Sequence, residues 1–294
     1  MRFSIVTPSY RNSSWLKLCI ASVADQDLPH EHIVQDSCSD DGTQDWLPQD
    51  PRVTAVIEKD RGMYDAVNRG FGRAHGELLA YINCDEQYLP GALRQVSEFF
   101  DGNPAVDVAF GDCVVVDPQG EYLCERRVLT PQISHTQVGR NLSFLTAGTF
   151  LRRRVIEQHQ LFFDPQLRDI GDAEWTARIL RAGLRLATLG KFTSAFTETG
   201  ANMNYGTNAR RETEAFFAAA PAWARVAAPL FVAHYRLRRW RAGYYRARKF
   251  AYAIYTQASP TARKTFQITQ PTAFWNRLKT TPATQAPAAP APSA

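Results

Sequence analysis

The first hundred residues alternate short apolar runs with helix-length segments, and this rhythm restricts the fold more than any other feature. Phe3–Val6 is an apolar run stopped by Thr7-Pro8-Ser9. Ser13 or Ser14 can cap a helix through Val23, and a second run, His32–Val34, ends at Asp36. Val53–Ile57 reads as a third strand, Met63–Ala74 as a helix, Leu78–Ile82 as a fourth strand and Pro90–Phe100 as another helix. Strands alternating with helices predict an α/β domain on a mainly parallel sheet with helices on both faces. Polar clusters recur at the carboxyl ends of these runs, where open α/β sheets bind their ligands.

The pattern changes after Val106. Val106–Phe110, Val114–Val116, Tyr122–Arg127 and Thr149–Arg152 read as strands, with a turn at Pro118-Gln119-Gly120. Asp172–Ala182 reads as a helix closed by Gly183, followed by strands at Leu184–Leu189 and Phe192–Phe196. Thr197–Asn208 is a polar loop rich in Gly and Asn, expected to be mobile. A helical region is expected from Arg210 to Tyr255, broken near Pro221 and Pro229. The Ala/Pro/Thr-rich end, 280–294, is expected to be disordered.

The sharpest local signal is Ile82-Asn83-Cys84-Asp85-Glu86. An apolar run stops there at two adjacent acids, which are costly to bury unless something positive sits beside them. A divalent cation carrying phosphates meets that need, because hard cations take oxygen ligands. Taken alone, such a pair is more often a solvated turn.

Charge divides the 294 residues unequally. The net charge is +5, yet residues 1–214 carry 22 basic and 29 acidic side chains. After Glu214 there are 12 Lys and Arg and no acid. A basic end on an acidic body suits an anionic partner. The five cysteines are odd in number and form no C-x-x-C pair, which suggests reduced thiols in a cytoplasmic protein. No secretory signal or membrane-spanning run is apparent.

Four segments then line up in order. They are Val6-Thr7-Pro8-Ser9-Tyr10-Arg11-Asn12; Asp36-Ser37-Cys38-Ser39-Asp40-Asp41-Gly42-Thr43; Glu58-Lys59-Asp60-Arg61-Gly62-Met63-Tyr64-Asp65-Ala66-Val67-Asn68-Arg69-Gly70; and Ala74-His75-Gly76-Glu77 running into Asn83-Cys84-Asp85-Glu86. Each is weak alone. The ordered set resembles the family 2 glycosyltransferases of the GT-A fold, particularly bacterial enzymes of surface-polysaccharide assembly, over roughly residues 2–215. That resemblance implies a Rossmann-like mixed sheet flanked by helices, here with a basic helical extension at 216–279.

The resemblance also implies roles by position. Thr7, Pro8 and Tyr10 would hold the base and ribose of a nucleotide-sugar, and Asp36 would accept a hydrogen bond from the base, uracil in UDP-sugar enzymes. Asp60, Asp65 and Asn68 match the family's E-x-D-x-G-x-Y-D-A-x-N-x-G segment, with Arg61 and Arg69 available to neutralise phosphate. Asp85 and Glu86 would hold Mn²⁺ or Mg²⁺, although Glu86 stands where an Asp is usual. Asp172 aligns with the family's catalytic base, and Glu174 is its alternative; Asp172 also suits a helix N-cap. The implied reaction is metal-dependent, inverting transfer of a sugar from a nucleotide-sugar, UDP-linked by preference, to a hydroxyl of a glycan or polyprenyl-linked acceptor.

Two alternatives stand beside it. One is a non-catalytic nucleotide-sugar-binding scaffold, which Glu86 favours. The other is a sugar-nucleotide pyrophosphorylase, which would need a glycine-rich phosphate loop that Thr7–Asn12 lacks. In the basic end, Arg236, Arg238, Arg239, Arg241, Arg246, Arg248 and Lys249 interleave with Tyr235, Leu237, Trp240, Tyr244, Tyr245 and Phe250. This suits an anionic membrane surface, which would place the protein peripherally on the inner face of the plasma membrane. A core-packed helix with solvated arginines fits about as well. No recognised nucleic-acid module accompanies the patch, so no nucleic-acid partner is expected.

Overall fold

A computed structural model of the protein describes residues 1–200, 207–246 and 248–275. The chain runs β1 (Phe3–Ser9), α1 (Ser13–Ala24), β2 (His30–Asp36), α2 (Thr43–Trp46), β3 (Thr54–Ile57), α3 (Met63–Arg73), β4 (Leu78–Tyr81), β5 (Glu86–Tyr88) and α4 (Ala92–Gly102). It continues through β6 (Val108–Val116), β7 (Tyr122–Arg126), β8 (Thr149–Arg152), α5 (Arg154–Glu157), α6 (Gly171–Arg181) and β9 (Leu186–Thr197). The last elements are α7 (Thr207–Ala218), α8 (Ala222–Val226), α9 (Ala228–Arg241), β10 (Phe250–Thr256) and β11 (Ser259–Ile268).

One nine-stranded sheet organises the body in the order β3-β2-β1-β4-β8-β6-β9-β5, with β7 added to β6. The first four strands pair in parallel. The polarity reverses where β8 joins β4, so the sheet is mixed. β1 is buried along its whole length, Ser4 and Thr7 included, because helices cover both faces. On one side α3 packs so tightly that a side chain at Gly70 would collide with Val6. The apolar set Val6, Val67, Phe71, Leu79 and Trp175 joins α3 and α6 to the sheet.

Two strands between 106 and 197 are longer than the sequence suggests, while Tyr122–Arg126 and Thr149–Arg152 fall where expected. Val106–Phe110 and Val114–Val116 merge into β6 across Gly111, whose missing side chain makes room for Thr193. Leu184–Leu189 and Phe192–Phe196 merge into β9. A register shift opposite Asp112 takes up the irregularity.

The basic end differs more. The expected helix to Tyr255 stops at Arg241, and residues 250–268 form an antiparallel hairpin. The reason is a two-residue period: Tyr252 and Ile254 are buried while Ala251 is exposed. Those buried side chains and Phe266 join Leu89, Val114, Val116 and Ala195 of the body in one apolar cluster. The extension is thus helix plus hairpin rather than helical throughout. The tail at 280–294 and half of the expected mobile loop, 201–206, lie outside the described residues.

Candidate active site

Beyond the carboxyl ends of β1 and β4 lies a cavity of about 740 Å³. The end of β1 and the loop after it contribute Pro8, Ser9, Tyr10 and Asn12. The stretch between β3 and α3 contributes Lys59, Asp60 and Arg61, and the loop after β4 contributes Asn83, Cys84 and Asp85. Across from them stand Arg168, Asp169 and Asp172. One cavity therefore gathers acids from two distant parts of the chain, with three cationic side chains on its wall.

Asp172 occupies the first turn of α6 rather than its N-cap, because the helix already begins at Gly171 and Ile170 caps it. Its own Oδ1 accepts the Ala173 N–H at 2.8 Å, and its backbone N–H donates to the Tyr64 hydroxyl at 3.2 Å. Gly171 lies flat on the Tyr64 ring, where an added Cβ would come within 2.5 Å of a ring carbon. Burial raises the Asp172 carboxyl to about 6, only partly opposed by the Ala173 N–H. A carboxylate poised there, in a cavity, is chemically suited to accept a proton. Glu174 does not line the cavity and is held by Arg178 at 2.7 Å.

Asp85 and Glu86 part company. Asp85 lies in a turn, across which the Glu86 N–H donates to the Asn83 C=O at 3.0 Å, and β5 begins at Glu86, paired with Phe196 of β9. Asp85 therefore lines the cavity while Glu86 is wholly buried behind it, accepting the Asn83 N–H at 2.9 Å. Glu86 Oε1 is left without a partner there. Burial raises both carboxyl groups, and Asp85 raises Glu86 further. The assignment of Glu86 as a cation ligand is corrected by this placement: it does not reach the cavity wall. Asn83 does, and its side-chain oxygen has no protein partner. Among the described residues no three His, Cys, Asp or Glu side chains gather as a ligand set. Two hard oxygens, from Asn83 and Asp85, nevertheless fit a cation that takes most of its ligands from phosphates and water.

The other expected donor contacts divide. Tyr10 is half-exposed at the cavity, with Lys59 Nζ 5.0 Å and Arg11 Cζ 5.1 Å from its ring centroid. Asp60 lines the cavity and accepts the Gly62 N–H at 2.9 Å. Thr7, by contrast, is buried against His32 Nε2 at 2.8 Å. Asp36 is buried too, and both its oxygens are taken by Ser39, at 2.8 and 2.7 Å. Asp65 is clamped by Arg61 and Arg69 at 3.1 and 2.9 Å. Burial would lift its carboxyl, but the two guanidinium groups hold it below the usual range. Asn68 brackets the Phe163 backbone, donating to its C=O at 2.8 Å and accepting its N–H at 2.9 Å. None of these four lines the cavity. Tyr64, Phe163 and Trp175 stack in sequence, at 5.2 and 4.8 Å between centroids. The α3 motif thus builds the platform under Asp172.

Sequence reasoning missed Glu212 of α7. Its carboxylate accepts the backbone N–H groups of Arg168, Asp169 and Ile170 at 3.0, 3.0 and 3.2 Å. Burial works against ionisation, yet these donors and Asn208 hold it below the usual range. Its partners are backbone groups, so no pattern of side chains announces it. Arg168 and Lys59 were also missed as cavity cations.

The sequence matches the family model described as Glycosyl transferase family 2 over residues 4–160, just over half of the chain. The chain belongs to that family. Among curated relatives, it is 36% identical over 102 residues to the putative teichuronic acid biosynthesis glycosyltransferase TuaG of Bacillus subtilis, covering 33% of this chain and 40% of that one. It is 27% identical over 197 residues to the glycosyltransferase AglE of Haloferax volcanii, covering 62% of each. Against the succinoglycan biosynthesis protein ExoO of Rhizobium meliloti it is 29% identical over 198 residues, covering 63% and 57%. The chain thus spans less than two thirds of each of these relatives. Among solved structures, TarS of S. aureus in complex with UDP-GlcNAc superposes with a TM-score of 0.58 at 18% identity, over 82% of this chain and 73% of that one. A mannosyltransferase of Pyrobaculum calidifontis in complex with GDP-Man and Mn²⁺ gives 0.53 at 18%, over 83% and 81%. The fold is the GT-A type of these neighbours, a mixed sheet flanked by helices.

Proposed function

We propose that this family member transfers a sugar from a nucleotide-sugar to an acceptor hydroxyl with inversion at the anomeric carbon. The observation that carries this reading is the convergence of Asp85 and Asp172 on one cavity. Asp172 takes the proton of the acceptor hydroxyl as that oxygen bonds to the anomeric carbon. The bond from that carbon to the diphosphate oxygen breaks on the opposite side. Lys59, Arg61 and Arg168 supply positive charge for the diphosphate. The exposed Tyr10 ring offers a stacking face to the base. Asn83 and Asp85 are the residues that would hold Mn²⁺ or Mg²⁺. When bound, such a cation neutralises charge on the leaving diphosphate.

UDP is the preferred nucleotide, and the acceptor is a glycan or polyprenyl-linked glycan. Support for these finer choices is the UDP-GlcNAc of the TarS complex and the polysaccharide pathways named for TuaG and ExoO. The scaffold reading loses its motive, because Glu86 does not reach the cavity. Calorimetry with UDP and GDP, each with Mn²⁺ and with EDTA, tests the donor side. UDP binding that weakens in EDTA is expected. Equal UDP affinity in both conditions would remove the cation from this reading. Release of free sugar from UDP-sugars separates an enzyme from a scaffold.

A further inference from the structure

Helix α9 is apolar on two faces: Phe231 packs inward against Val138 and Ala224, and a second apolar stripe faces out. Its buried face carries Tyr235, Arg238 and Arg239, while Leu230, Leu237 and Trp240 stand in solvent at 71%, 42% and 66% exposure. The arginines of the inner face are used there. Arg238 donates to the Thr130 carbonyl at 3.2 and 3.3 Å, and Arg239 lies 3.7 Å from the Tyr244 ring centroid. A helix of a globular body normally turns its apolar stripe inward. Here Leu230, Ala233, Leu237 and Trp240 fall within about a quarter-turn of one another on the outside. Arg236 flanks that stripe on one edge and Arg241 on the other. The preceding α8 extends the patch with Trp223 and Val226 at 70% and 83% exposure. Apart from Met1 and Tyr10, every large apolar side chain that the described residues leave exposed lies between Trp223 and Phe274.

We infer that the α8–α9 face seats on an anionic bilayer, its apolar stripe in the headgroup–acyl boundary and its flanking arginines on lipid phosphates. Two features choose this occupant. The patch is aliphatic as well as aromatic, whereas a nucleic acid would ask for stacking rings. It is also edged by cations, with no acid after Glu214 to answer them. A second copy seated symmetrically on the same patch would bring arginines against arginines. An anionic bilayer satisfies both the apolar stripe and its charged edges. No helix among the described residues is long and apolar enough to cross a membrane, so the contact is interfacial. A cavity of about 490 Å³ opens beside the stripe, walled by Val138, Phe217, Pro229 and Val232 and lined by Arg140 and Arg236. That pairing of apolar wall and guanidinium groups suits one acyl chain with its phosphate. The inference stands apart from the donor chemistry above.

The test is co-sedimentation of the full-length protein with phosphatidylcholine vesicles, with and without phosphatidylglycerol. Binding to the anionic vesicles alone, weakened by salt, is expected. Trp223→Ser with Leu230→Ser should weaken it at least about tenfold, by removing the inserted apolar surface. Both side chains are mostly solvent-exposed and Trp223 touches only the edge of the Phe231 ring among aromatic neighbours, so the melting temperature should fall little and the protein stay folded. Arg236→Gln with Arg241→Gln should reduce the dependence on phosphatidylglycerol. Three results would overturn the inference: wild type that ignores anionic vesicles at low salt, a double serine variant that binds like wild type, or a lipid-free dimer that the serine changes dissolve. The last would make the face a protein interface. Donor calorimetry on the same samples reads the proposed activity separately.

Discussion

The loops that line the cavity and the helix behind them treat polar side chains in opposite ways. In Asn83–Asp85 and at Asp172 polar atoms face the cavity with few protein partners, and burial leaves the acids raised toward neutrality. In α3 the motif residues Asp65 and Asn68 are saturated by Arg61, Arg69 and the Phe163 backbone. The first region is kept available for a ligand at the expense of stability. The second spends its polar groups on holding the first in place. Membership of a motif therefore does not tell which side chains meet the substrate.

Asp172→Asn should separate the two regions most sharply. Transfer should fall by about 10²–10⁴, the usual range for general-base assistance, while UDP affinity holds. The same change should stabilise the fold at neutral pH. The folded carboxyl titrates near 6, above an ordinary Asp, so its relative stabilisation is complete below about pH 4 and is lost as pH rises through 6. Removing that burden at pH 7–8 should add on the order of 1–2 kcal/mol, read as a higher melting temperature. Wild-type turnover should rise with pH through about 6 and then level, as a base must be ionised to act. Full activity in Asp172→Asn, with loss in Glu174→Gln, would move the base two residues along.

Asn68→Ala tests the supporting region. It strands a backbone N–H and C=O of Phe163, so a loss of about 1–3 kcal/mol is expected. The rate should fall with donor affinity kept, because Asn68 acts through the platform under Asp172. A selective loss of donor affinity would mean that Asn68 touches the nucleotide. Glu212→Gln should cost less, about 1–2 kcal/mol, since a neutral amide oxygen can still accept from one or two of the three N–H groups. The smallest effect is expected for Glu86→Gln, with cation-dependent UDP binding within about threefold of wild type. Loss of cation dependence there would return Glu86 to the cavity and break the contrast.

Much of the body was legible in the sequence because β1 to β4 are apolar runs with strong punctuation, and α6 repeats Trp175 and Ile179 toward the core. Of the residues that the ordered motifs named, Tyr10, Asp60, Arg61, Asp85 and Asp172 come together on one cavity. Other features left weaker traces. β6 and β9 each read as two strands, although Gly111 within β6 is there to admit Thr193. Alanine and arginine between 242 and 264 favour helix, and the two-residue period that won is short. The split between Asp85 and Glu86 was not legible, because it arises at a turn whose exit strand pairs with the distant Phe196. Glu212 was not legible either, because it binds backbone.

The hairpin at the end of the chain binds back to its beginning. Arg263 donates to the Asp25 carboxylate and to the carbonyls of Ser22 and Tyr88, contacts separated by as many as 241 residues. On the ribosome, the apolar cluster beneath this hairpin is completed only after β10 and β11 have been made. Until β10 and β11 emerge, Leu89, Val114, Val116 and Ala195 lack the side chains that complete their cluster. Closures of such span are slow, and a waiting apolar surface invites misassociation. A nascent chain halted before residue 250 should hold its sheet open along that flank and draw chaperones there, even though every strand of the main sheet has already been made.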